Sequence, residues 1–110
     1  MSQNPGVGVS NENVVSTKTP LTGLTPTFAS VGVTSGLVLA ANPARTSLVF
    51  VNTSNNNISF GIGSNAAVLY SGITLYPQGV WQADEYCYVT SAINAIASGA
   101  SSNLAIQEFQ

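Results

Sequence analysis

The chain has 110 residues, and only six of them ionise: Lys18 and Arg45 against Glu12, Asp84, Glu85 and Glu108, for a net charge of −2. That is 5% charged residues, where about 25% is ordinary, so each charge serves roughly 950 Å² of the surface expected for this mass. With no histidine, two basic residues and the single cysteine Cys87, the composition argues against histidine-based nucleophiles and metal sites, electrostatic nucleic-acid binding and an internal disulfide.

Residues 1–27 hold three of the five prolines, Pro5, Pro20 and Pro26, and single apolar residues separated by polar ones. Proline removes a backbone donor and biases its predecessor to extended geometry, so this stretch is expected to be an extended N-terminal arm. It is too apolar for a solvating tail. Val14, Val15, Leu21 and Leu24 are its candidate contact residues, covered when the arm lies along a partner.

From residue 28 to 110 the pattern is β throughout. Good helix formers are scarce, and Val, Ile, Thr, Tyr and Phe recur in short runs between turn residues. Strands are expected at 28–33 and 36–41, the second closed by Asn42-Pro43, and at 45–52, where Leu48 and Phe50 face one way and Val49 and Val51 the other. Residues 53–57, Thr-Ser-Asn-Asn-Asn, suit a hairpin turn. The return strand 58–62 alternates, with Ile58, Phe60 and Ile62 inward and Ser59 and Gly61 outward. Further strands are expected at 67–70, 73–76, 80–83, 86–90, 92–97 and 103–109. The alanine-rich stretch 91–100 is taken as a strand over a short helix, with Ile93 or Ile96 inward. Short strands at roughly ten-residue spacing give an all-β, antiparallel sandwich with Leu48, Phe50, Ile58, Phe60 and Ile106 in its core. No sequence repeat suggests a solenoid.

Few residues carry chemistry. Asp84 and Glu85 are adjacent, so on a strand their carboxylates point to opposite faces and suit a solvated turn. No Asp-rich loop offers calcium its oxygen ligands. Tyr86 and Tyr88 lie two apart on one strand face, a small platform for a sugar or, more simply, for a subunit interface or core. Cys87 between them reads as a small buried hydrophobe. Arg45, the one guanidinium, is expected to bind carboxylates or carbonyls at a fixed place, or to guard a strand edge. No catalytic residue, metal or cofactor is expected, and the chain is read as no enzyme. The opening Met-Ser-Gln-Asn-Pro-Gly lacks the charged and apolar regions of a secretory signal, and no apolar run approaches membrane-helix length. Synthesis in the cytoplasm and no membrane partner are the corresponding expectations.

Three runs carry a resemblance: Arg-Thr-Ser-Leu-Val-Phe-Val-Asn-Thr-Ser at 45–54, Ile-Ser-Phe-Gly-Ile-Gly at 58–63 and Gly-Ile-Thr-Leu-Tyr-Pro-Gln-Gly at 72–79. In hydrophobic spacing and glycines they resemble small β-sandwich structural proteins of tailed double-stranded DNA bacteriophages. They are most similar to the capsid decoration, or cement, proteins of short-tailed phages. The resemblance implies a jelly-roll-like subunit on the outer surface of the virion, bound to the major capsid protein and to itself as a dimer or trimer. It brings no catalytic residues. Candidate capsid or subunit contacts are then Val14, Val15, Leu21, Leu24, Arg45, Tyr86 and Tyr88. The alternative is a receptor- or glycan-binding module of a phage tail or fibre, using the tyrosines and Trp81. A pilin-like subunit assembled by strand donation is a third reading, against which stand the missing signal and cysteine pair.

Overall fold

The computed structural model describes residues 20–84 and 89–110, which form eight strands and no helix. In chain order they are β1 (Thr27–Val31), β2 (Gly36–Leu39), β3 (Ser47–Asn52), β4 (Ile58–Ile62), β5 (Thr74–Leu75), β6 (Val80–Ala83), β7 (Ile93–Ala97) and β8 (Ser102–Phe109). They make two four-stranded sheets, one in the order β1-β8-β3-β6 and the other β2-β7-β4-β5. Every pairing is antiparallel. Two antiparallel sheets and no helix among the described residues are compatible with the expected sandwich.

Alternation explains the core. Leu48 and Phe50 on β3, Leu104 and Ile106 on β8 and Val31 on β1 are buried from one sheet. Ile58 and Phe60 on β4, Ile93, Ala95 and Ala97 on β7 and Leu75 on β5 meet them from the other. Phe50 and Phe60 stack across the gap with ring centroids 5.0 Å apart and planes at 25°. Trp81 of β6 lies over both, 5.6 Å from Phe50 and 6.3 Å from Phe60. Offset aromatic contacts of this kind add to area burial. All five residues expected at the centre are buried. Within 91–100, Ala95 and Ala97 belong to a strand, β7, with Ile93 inward and Ile96 on the opposite, half-buried face.

Some local readings need correction. Residues 53–57 do not close a hairpin, because β3 pairs with β6 and β8 while β4 pairs with β5 and β7. The turn instead carries the chain from one sheet to the other. Buried Asn52 organises it: its Nδ2 donates to Asn56 O at 2.7 Å and Leu75 O at 2.9 Å, while Oδ1 accepts from Ser54 N at 3.0 Å. Residues 67–70 are irregular and end in a turn, not a strand, with Tyr70 at φ 64°. Together with residues 65 and 66 they pack on the outer face of β4, so Ser59 and Gly61 are buried and not solvent-facing. Ser59 Oγ accepts from Tyr70 N at 2.8 Å and shares a 2.8 Å hydrogen bond with Thr74 Oγ1. Of the strand expected at 86–90, Tyr86, Cys87 and Tyr88 lie outside the described residues, and Val89 and Thr90 are irregular.

Residues 20–26, counted with the arm, bond to the end of β8 in the same chain. Thr22 and Gln110 exchange backbone hydrogen bonds at 2.7 and 2.9 Å, and Leu24 N donates to Glu108 O at 2.9 Å. Gln107 Nε2 donates to Leu24 O at 2.6 Å. This segment extends the sheet edge that β1 continues.

Candidate functional site

Two places stand out: a buried polar knot at one end of the sandwich and an uncharged outer sheet face. The knot forms because the Asn42-Pro43 turn feeds Arg45 inward. Asn42 Oδ1 accepts from Ala44 N at 3.1 Å and its backbone oxygen accepts from Arg45 N at 3.0 Å, fixing the turn. The Arg45 side chain is 0% exposed. Its Nε donates to Glu108 Oε2 at 2.8 Å, Nη1 to Val89 O at 2.8 Å and Ser91 O at 3.1 Å, and Nη2 to Ala40 O at 2.7 Å. A planar fork of donors suits such a divided set of acceptors better than an ammonium would. Ala40 follows β2 and Ser91 precedes β7, whereas Glu108 is on β8, so one guanidinium ties the two sheets together. Arg45 was expected to bind carboxylates or carbonyls at a fixed place, and it binds both. Being buried, it offers no surface to a second protein, which removes it from the interface candidates.

The outer face of the β1-β8-β3-β6 sheet is different in kind. Register puts Phe28 opposite Ala105, Ala105 opposite Val51 and Val51 opposite Val80. These four make an apolar row across all four strands, and its ends are open, with Phe28 72% and Val80 58% exposed. The neighbouring rows are Gln107, Val49 and Gln82 on one side and Ser30 and Asn103 on the other. None of these side chains carries charge. Beside the row, Pro26, Thr27, Val49, Val51, Ala105 and Gln107 line an open hollow of about 160 Å³. A larger hollow, about 360 Å³, lies between β4 and the 65–73 segment, where Gly61, Ile62, Ala66, Val68 and Ile73 line it.

The other candidates divide plainly. Leu24 is half-buried and Leu21 is 40% exposed, both beside β8. Val14, Val15, Tyr86 and Tyr88 lie outside the described residues. Trp81 is half-buried and packed against Phe50 and Phe60. Tyr70 and Tyr76 are exposed. Sequence reasoning missed the row on the outer face. The signal was there in Val49 and Val51, whose apolar character on the second side of β3 implied a cover without naming one. No family model, curated protein or solved structure matches the chain.

Proposed function

We propose that this protein is a structural subunit of a virion, a decoration or cement protein that binds outside the major capsid protein shell and bridges neighbouring shell subunits. The observation that carries this reading is the surface. Among the described residues Arg45 is buried, Glu108 is 19% exposed, and Asp84 is the one charged residue in the exposed class. Against that stand Phe28, Val33, Leu37, Val68, Tyr70, Tyr76 and Val80, each large, apolar and more than half exposed. A free monomer gains little colloidal protection from such a surface, whereas a protein that spends its working life against other protein needs little.

The jelly-roll assignment belongs to the same reading, and strand pairing supports it. β1 pairs with β8, β2 with β7, β3 with β6 and β4 with β5. That is the pattern of one long hairpin folded over into two sheets, an architecture used in viral capsid and lectin domains. Residues 1–19, with Val14 and Val15, supply the arm that reaches a neighbouring subunit. Each shell contact can be weak, because one oligomer touching several subunits raises the effective concentration for every later contact. Contacts made of apolar and hydrogen-bonding groups are also poorly screened by salt.

Copy number tests the reading. Purified particles should contain this chain in numbers comparable to the major shell protein, and a wash in molar salt should leave it bound. A few to tens of copies per particle points to a tail component, and absence from particles ends the proposal.

A further inference from the structure

We infer that the outer face of the β1-β8-β3-β6 sheet is a two-fold interface between copies of this chain, in which Phe28 of each copy fills the hollow beside Val49, Val51 and Ala105 of the other. This rests on the reading of a self-associating subunit, but it is separable from shell binding, which a monomer could still perform.

Knob and hole lie on the same face. Phe28 is 72% exposed, the most open of the large apolar side chains described. The hollow two residues away along the edge measures about 160 Å³. An enclosed apolar cavity of about 150 Å³ accepts one benzene ring, so the open hollow has room for part of a phenylalanine ring. Its own Phe28 points out from β1 and leaves it open. A patch that carries both a knob and its complement is what an isologous interface requires, since each contact is then made twice.

Position and charge fit as well. Phe28 sits on β1, and the hollow, rimmed on the β1 side by Pro26 and Thr27, reaches over β8 and β3, the next two strands of the sheet. A two-fold axis running close to β8 therefore carries each Phe28 onto the other copy's hollow. The three central rows of the face contain no charge, so two copies meet without like-charge repulsion or a desolvated ion. Ala105, the smallest residue of the apolar row, stands where the partner's ring must enter. Strands lie about 4.8 Å apart and rise about 3.4 Å per residue, so three strands along the length of β8 offer a patch of roughly 14 by 27 Å. Twice that area, roughly 750 Å², lies below the roughly 1,200 Å² of stable complexes and belongs with weak, transient contacts. The dimer is accordingly weak and exchanges, a property suited to a unit whose other contacts lie elsewhere.

Sedimentation of the full chain over a wide concentration range should show a monomer–dimer equilibrium. Phe28→Ala, which empties the knob, and Ala105→Trp, which fills the hole, should each weaken it by about tenfold or more. Circular dichroism should find Phe28→Ala folded, since the side chain it removes is exposed; if Ala105→Trp fails to fold, Phe28→Ala decides alone. In a Cys87→Ser background, chains with Phe28→Cys mixed with chains with Val49→Cys should form a mixed disulfide on mild oxidation. A full chain monomeric at every concentration overturns the inference, as does a dimer indifferent to Phe28→Ala. So does a monomer that dimerises only once residues 1–19 are removed, because the chain's own segment is then the occupant. A dimer that persists through Phe28→Ala leaves the decoration reading intact, and normal dimerisation of a chain absent from particles does the reverse.

Discussion

Arg45 spends a charge in the interior of a protein that has only six, and its surroundings explain why that is tolerable. All three side-chain nitrogens donate to the acceptors around them, and one acceptor, Glu108, brings the opposite charge. A buried pair of this kind adds little over a well-packed apolar substitute, but losing one partner is costly because the remaining groups keep their desolvation. Arg45→Ala would leave the carbonyls of Ala40, Val89 and Ser91 and the Glu108 carboxylate without this donor. We expect a loss of about 3–5 kcal/mol in urea unfolding. Arg45→Lys should recover only part of it, since a compact ammonium cannot serve acceptors spread around a planar fork. Full stability in the lysine variant would show that charge alone holds the knot and that the divided geometry is incidental.

At the scale of elements, the 63–73 connection between β4 and β5 is where packing overrides local pattern. It lies so close on β4 that a Cβ built on Gly61 would meet the backbone of Ala66, with the carbonyl carbon 2.7 Å away and its oxygen 2.8 Å away. Backbone cannot swing aside as a flexible side chain can. Gly61→Ala should therefore cost about 1–3 kcal/mol, read as a lower midpoint of thermal unfolding, whereas a change in the solvent-facing Gly32, which has nothing within 4 Å, should cost far less. An unchanged midpoint for Gly61→Ala would mean the connection does not rest on β4. The same contact explains which parts of the fold were legible from residue pattern. β4 and β6 have the expected limits, and the inward set Leu48, Phe50, Ile58, Phe60 and Ile106 is buried, because alternation reports directly which side of a strand meets apolar neighbours. Ser59 and Gly61 misled for a physical reason. Small residues suit solvent, and they suit equally a place where another backbone comes to rest. Ala67-Val68-Leu69-Tyr70 has a strand's composition, yet Tyr70 takes a left-handed conformation and its N–H goes to Ser59. The partner of Arg45 was legible as a kind of acceptor and not as a residue, since Glu108 lies 63 positions away.

For the whole molecule, the expected division into an arm at 1–27 and a sandwich at 28–110 has a mechanical consequence. An arm beginning the chain and ending at residue 27 could be cut at residue 25 without touching the domain. The bonds of Thr22 and Leu24 to the end of β8 say otherwise. They hold Gln110, Glu108 and Gln107 at the tip of the strand that pairs with both β1 and β3 and also carries the acidic partner of Arg45. Four hydrogen bonds, each worth about 0.5–1.5 kcal/mol net, are lost with the segment. Their loss also frays β8, which exposes Glu108 and loosens its hold on the guanidinium. Deleting residues 1–25 should thus lower the melting temperature by on the order of 5–10 °C, the shift that about 1–2 kcal/mol produces in a domain of this size. Deleting residues 1–19 leaves every one of these bonds in place and is the proper reference for a test of the proposed shell binding. If the two deletions melt together, the segment beside β8 adds nothing to the domain, and the arm extends to residue 25. If the longer deletion alone melts early, a loss of shell binding seen only with it reports a damaged sandwich, and one seen with both reports the contacts of residues 1–19.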